Sequence, residues 1–137
     1  MEIGLLRLLF DFGLLVLVWL VQLVVYPSFL HYPPENLIKW HKKYTYNILI
    51  VVLPLMTGQL FFWMFELLHV VSIYTVLGML LIIAVWLSTF FVFVPIHNKI
   101  SSGLANDKIL GRLVRQNWLR TAFWTLIFVC SYCAFFE

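Results

Sequence analysis

The sequence predicts an all-α polytopic membrane protein, a four-helix antiparallel transmembrane bundle with a short cytoplasmic amphipathic helix before the fourth span. Its 137 residues are 64% hydrophobic and 11% charged, with a mean hydropathy of +0.99. Soluble domains are about 45–50% apolar and about 25% charged. Long uncharged stretches separate the charges, and runs such as Leu14–Leu20 are apolar on every side. Membrane strands would alternate apolar and polar residues, so helices fit better.

The uncharged stretches locate the spans, because a charge near the centre of a bilayer costs at least about 2.5–3.5 kcal/mol. These stretches cover residues 12–34, 44–65, 67–98 and 121–136. The last is short for a hydrocarbon core about 30 Å thick, so we expect the fourth helix to begin near Asn117 and to draw Arg120 into or beside the bundle. We predict one domain, residues 1–137, with spans at about 5–30, 44–66, 70–97 and 117–136.

The first and third connections should share one side of the membrane, and both are basic. Eight of the nine Lys and Arg residues fall in or beside them, and only Arg7 falls on the other side. The positive-inside rule then predicts both termini outside and the basic connections in the cytoplasm, as in a bacterial inner membrane. No nucleic-acid partner is expected, because the basic residues are not interleaved with aromatic ones as in nucleic-acid-binding patches.

The composition of each connection predicts its shape. Two prolines in Tyr32–Glu35 break the chain, and residues 36–43 indicate an interfacial half-turn before the second helix. Ser101–Gly103 is a second break, after which Asn106 or Asp107 would cap a helix. We expect that short helix to lie on the inner leaflet as a basic amphipathic anchor and to lead into the fourth span. Its apolar face carries Ile109, Leu110, Leu113 and Val114.

Polar side chains inside spans are costly, and they usually face the protein interior. In the outer half, we group four of them as a candidate outer cluster: Arg7, Asp11, Gln59 and Glu66. Such a cluster suits proton relay or cation binding in a small proton-coupled transporter. A simpler interpretation pairs Arg7 with Asp11 across one helical turn and leaves Glu66 solvated.

In the inner half, every helix contributes polar or aromatic residues near one level. The candidate ligand or cofactor pocket there consists of His41, Tyr44, His97, Asn117 and Arg120, with Tyr26 and His31 nearby. These groups suit the binding of a ligand that has an anionic or polar head and an apolar body. The imidazoles of His41 and His97 are also candidate ligands for a metal ion or haem, although no metal-ligand spacing supports either. An interfacial belt joined by hydrogen bonds is the alternative.

Four segments together resemble a known group of proteins. They are Tyr26-Pro27-Ser28-Phe29, Trp40-His41-x-x-Tyr44-Thr45, Val94-Pro95-x-His97-Asn98-Lys99 and Asn117-Trp118-x-Arg120-Thr121. With them the chain resembles uncharacterised bacterial four-helix integral membrane proteins and, more loosely, the anthrone-oxygenase-like membrane domain. That domain has a similar Pro-x-x-Asn segment ending its third helix and an Asn-x-x-Arg-like pattern beginning its fourth. The resemblance implies functional roles for His41, His97, Asn117 and Arg120, but it implies no particular reaction.

Besides the small proton-coupled transporter, two classes of function follow from these patterns. In the first, the pocket binds a cofactor or a small lipophilic ligand, aromatic or quinone-like, in an oxidoreductase-like role. In the second, the chain is a non-catalytic accessory subunit of a larger membrane complex or a homo-oligomer, since 13 Phe, six Trp and six Tyr cannot all pack inside four helices. The sequence contains no complete catalytic constellation, so it leaves open whether the protein is an enzyme.

Overall fold

A computed structural model describes residues 2–137 and contains four helices that are long and apolar enough to cross a membrane. They are α1 (Glu2–His31), α2 (Pro34–His69), α3 (Ile73–Ser101) and α4 (Asp107–Phe135). No strand occurs within residues 2–137. The predicted all-α four-helix membrane bundle is therefore confirmed. At about 1.5 Å per residue, each helix is longer than a hydrocarbon core about 30 Å thick and extends beyond it.

Local sequence signals set the helix ends. Pro33 is extended and Pro34 occupies the first position of α2, where a missing N–H costs nothing. Ser72 begins α3 with a capping box, in which its hydroxyl accepts from the Thr75 backbone N–H. Asn106 caps α4 by accepting from the backbone N–H of Ile109 at 2.9 Å.

The bundle closes because each helix packs against the next in the chain and α4 returns to α1. We call the end with the connections 32–33 and 102–106 the basic end, and the end with the connection 70–72 the terminal end. The hydrophobic core has two parts. One lies around Trp63, Ile82 and Ile127. The other lies towards the basic end, around Phe29 and Ile100.

Two predictions about the connections are wrong. Residues 36–43 do not form a half-turn but belong to the continuous helix α2. The amphipathic segment is not a helix of its own, because it forms the first turns of α4. Leu110 and Leu113 pack in the core with Phe29 and Leu37 rather than against lipid. Tertiary packing thus buries the apolar face that we assigned to the membrane surface.

Two helices each contain one π-helical segment, Val21–Val25 in α1 and Thr89–Phe93 in α3. A proline follows each segment at the second position, Pro27 and Pro95. Proline has no N–H, so the carbonyl one turn earlier loses its helical partner and the backbone bonds regroup. Such π-segments are frequent at functional sites. Residues of both segments line a cavity between the helices.

Candidate functional site

A cavity of about 350 Å³ lies between the four helices, towards the basic end. This volume is near the lower limit for small-molecule sites, about 300–1,000 Å³. The cavity has a mostly apolar wall and a few polar groups. Four of the five residues predicted for the inner pocket line it: Tyr44, His97, Asn117 and Arg120. The fifth, His41, lies behind His97, whereas His31 is exposed and takes no part.

Arg120 brings a buried positive charge to the cavity. Its side chain is 7% exposed, and its guanidinium carbon lies 4.1 Å from the ring centroid of Phe93 and 4.8 Å from that of Trp124. These rings provide cation–π contacts but no hydrogen-bond acceptor. The Nε atom has no hydrogen-bond partner. Within residues 2–137, no Asp or Glu lines the cavity to balance the charge.

Asn117 lies one turn before Arg120 on α4 and is fixed by α1. Its Nδ2 donates to Gln22 Oε1 at 2.9 Å, and Gln22 Nε2 donates to the Val114 carbonyl at 3.3 Å. The remaining amide oxygen, Asn117 Oδ1, is buried without a partner. Buried polar groups in proteins are nearly always paired. Two residues that line the cavity therefore each carry a buried polar atom without a partner, the donor Arg120 Nε and the acceptor Asn117 Oδ1.

A chain of hydrogen bonds runs along the wall from the basic end. The Ser101 hydroxyl and His41 Nδ1 are 2.8 Å apart, and His41 Nε2 and His97 Nδ1 are also 2.8 Å apart. His97 Nε2 is 3.0 Å from the Tyr26 hydroxyl. All four ring nitrogens are thus engaged. Phe29 packs edge-on against His41 at 5.4 Å and helps to fix its ring.

This chain also bears on the proposed metal and haem ligands. Two nitrogens bound to one zinc-like ion at about 2.0–2.1 Å in tetrahedral geometry are about 3.3 Å apart. The 2.8 Å between His41 and His97 is too short for that arrangement and is a normal hydrogen bond. No group of three His, Cys, Asp or Glu residues in the described part of the chain could hold a metal ion. The geometry favours a hydrogen-bonded pair.

The candidate outer cluster is buried towards the terminal end. Arg7 forms an ion pair with Glu66, and its Nη2 donates to the Ser131 carbonyl at 2.7 Å. Asp11 accepts from Gln59 Nε2 at 2.6 Å and from Trp63 Nε1 at 2.9 Å. The four predicted members lie together, but the simpler interpretation was wrong. Arg7 pairs with Glu66 rather than with Asp11, and Glu66 is only 15% exposed.

The outer cluster acts as a polar tie between helices α1, α2 and α4. None of its four members lines the cavity. One hydrogen bond links the two regions, because Trp124 Nε1 in the cavity wall donates to Gln59 Oε1 at 3.3 Å. Asp11 accepts hydrogen bonds from two donors of α2. This arrangement suits a fixed structural acceptor better than a carboxylate that carries protons in a transporter.

Sequence reasoning missed part of the site. Ser101 was interpreted only as a helix break, although it lies one turn after His97, where helical residues share a face. Tyr26 was placed beside the pocket without a role, and Gln22 was not assigned to it. The repeated π-segment followed by proline was also overlooked. The signal for it was present, because Pro27 and Pro95 each interrupt an otherwise apolar span.

No protein-family model, curated protein or solved structure matches the chain.

Proposed function

We propose that the protein binds a small lipophilic molecule from the bilayer in this cavity, and that the molecule is a cofactor or substrate of oxidoreductase-like chemistry, aromatic or quinone-like. The observation that carries the proposal is Arg120, a buried cation that lines the cavity while its Nε has no partner. A ligand oxygen placed against Nε would supply the missing acceptor. Hydrogen bonds to charged groups contribute about 1.5–3 kcal/mol each.

The shape of the wall supports a ligand with an apolar body. Leu17, Val18 and Ile48 line the cavity beside the polar groups. Leu49 of α2 and Val94 of α3 also line it and are 53% and 43% exposed. The cavity therefore reaches the lipid-facing surface between these two helices. A molecule dissolved in the bilayer could enter there without crossing water.

The family resemblance remains a proposal and agrees with this site. All four of its segments contribute residues to the cavity, among them Tyr26, Tyr44, His97 and Arg120. The resemblance and the cavity thus point to the same part of the bundle.

Calorimetric titration of the protein in lipid nanodiscs with menadione, a small neutral quinone, tests the proposal. We expect saturable binding that weakens about 10- to 150-fold in Arg120→Gln, the equivalent of one hydrogen bond to a charged group. Arg115→Gln is the matched control, because Arg115 lies on the same helix and is exposed. Equal affinity of wild type and Arg120→Gln, or no binding by wild type, would refute the proposal.

A second candidate is the accessory subunit or homo-oligomer. Three exposed aromatic side chains support this candidate. Phe61, Phe90 and Phe91 are 64%, 57% and 76% exposed. Lipid or a partner chain would cover them. Mild-detergent extraction from native membranes followed by size analysis distinguishes the candidates. Co-migration with larger chains supports the accessory role, whereas a monomer without partners contradicts it.

We also propose that the basic end faces the cytoplasm of a bacterial inner membrane, with both termini outside. Seven exposed Lys and Arg residues support this orientation: Lys39, Lys42, Lys43, Lys99, Lys108, Arg112 and Arg115. The other two basic residues, Arg7 and Arg120, are buried. Alkaline phosphatase fused after Glu137 should be active, and an inactive fusion in intact cells would contradict the orientation.

A further inference from the structure

We propose that the ligand of this cavity is a weak acid that binds as its anion, and that Tyr26, His97, His41 and Ser101 form a relay that carries the released proton to the basic end. The inference rests on the proposed function, because it concerns the same cavity. It adds the chemical class of the ligand and the path of its proton.

The charge of the cavity indicates the class of ligand. Arg120 is a cation, and no carboxylate of residues 2–137 lines the cavity with it. Only the neutral form of an acid dissolves readily in the bilayer, whereas its anion would be stabilised against the guanidinium. A weak acid can therefore enter from the bilayer in its neutral form and bind in the cavity as its anion. The proton must then leave, because no Asp or Glu among residues 2–137 lines the cavity to accept it.

The hydrogen-bonded chain offers the exit. Tyr26 lines the cavity, and each link from Tyr26 to Ser101 is 2.8–3.0 Å long. A neutral imidazole carries one N–H and one acceptor nitrogen, so each histidine can receive a proton on one side while it donates on the other. His41 is fully buried, whereas Ser101 is half-buried at the end of α3. Ser101 also lines the cavity, but it is the last residue of α3 and is followed by exposed Ser102, so the chain leads from the Tyr26 side of the cavity to the basic end.

The transfer balances without electron movement. The ligand O–H bond breaks, and its proton bonds to the Tyr26 oxygen, which gives its own proton to His97 Nε2. His97 Nδ1–H passes its proton to His41 Nε2, and His41 Nδ1–H passes its proton to Ser101 Oγ. Ser101 releases its hydroxyl proton to water. One proton leaves, and the ligand anion stays beside Arg120.

The other ionisable groups that face the relay do not interrupt it. Tyr44 of α2 lies beside both histidines, with its ring centroid 6.2 Å from that of His41 and 6.5 Å from that of His97. Arg120 of α4 lines the same cavity. Tyr44 is neutral and Arg120 is a cation, so neither is a base that would trap a travelling proton.

The test uses para-nitrophenol, whose anion is yellow and whose neutral form is nearly colourless. Titration of the nanodisc protein in two buffers of different ionisation enthalpy counts the protons released per bound molecule. At a pH well below the pKa of the free phenol, where the unbound ligand is neutral and colourless, we expect one proton for each molecule bound, together with the yellow colour of the anion. In rapid mixing, His41→Gln should release the proton about 100-fold more slowly or worse, because an amide keeps hydrogen bonds but does not relay protons.

Two further variants keep the test decisive. His31→Gln is the matched control, because His31 is exposed at the same end and outside the relay. Ser101→Ala, at a half-buried position, should slow release even where His41→Gln fails to fold. Binding without proton release, or normal release rates in both relay variants, would overturn the inference. Menadione binding that still depends on Arg120 would then leave the proposed function standing, whereas loss of both ligands would refute both.

Discussion

Replacing Gly78 by alanine tests the packing that holds the outer cluster in place. Gly78 is buried in α3, and a Cβ built on it would overlap Cη2 and Cζ3 of Trp63 and lie 2.8 Å from Cζ2. Trp63 is fully buried and donates its indole N–H to Asp11. The ring therefore cannot retreat without leaving its acceptor.

The cost follows from three contributions. Overpacking of a filled core costs about 1–3 kcal/mol. Loss of the Trp63 hydrogen bond to the Asp11 carboxylate adds about 1.5–3 kcal/mol. Alanine favours the helix over glycine by about 1 kcal/mol, which offsets part of this. We therefore expect Gly78→Ala to lower the free energy of unfolding by about 1.5–5 kcal/mol.

Reversible unfolding by SDS, followed by far-UV circular dichroism, measures the effect. Gly111→Ala is the control, because nothing lies within 4 Å of a Cβ built there. That variant should be as stable as wild type or more stable by up to about 1 kcal/mol. A Gly78→Ala protein as stable as wild type would refute the close contact between α3 and Trp63.

Two further variants address charge and capping in the same unfolding assay. Glu66→Gln leaves the Arg7 cation buried without its anion and should cost about 3 kcal/mol, the lower end of the range for a broken buried pair. The same change at exposed Glu35 should have little effect, and equal stabilities of the two variants would contradict the ion pair. Asn106→Ala removes the acceptor for the Ile109 N–H and should cost about 1 kcal/mol; an unchanged stability would argue against that cap.

The fold was accessible from the sequence because the bilayer imposes a strong and simple constraint. A charge inside the hydrocarbon core is costly, so the uncharged stretches had to mark the four spans. The same reasoning could not find the full helices. Residues 34–43 are polar enough for water, yet Pro34 begins a helix that continues into the span. The bilayer determines which residues must be apolar, but it does not determine how far a helix continues into the water on either side.

The site was only partly accessible, because local spacing predicts faces and not partners. Asn117 and Arg120 are three residues apart, so their common face could be predicted. The contact between His41 and His97 joins positions 56 residues apart and depends on how α2 and α3 pack. Arg7 shows the same limit. Its spacing along the helix predicted Asp11 as its partner, but in the folded chain Arg7 forms an ion pair with Glu66.

The most direct test of the central claim is nitrogen-15 NMR of the arginine side chains during a menadione titration in nanodiscs. The chain has four arginines, and only Arg7 and Arg120 are buried. The Nε–H resonance of Arg120 should shift downfield in a saturable manner, since that atom gains a hydrogen-bond acceptor, while the resonance of Arg7 stays unchanged. Binding of menadione without any shift at Arg120 would show that the ligand lies elsewhere and would contradict the account.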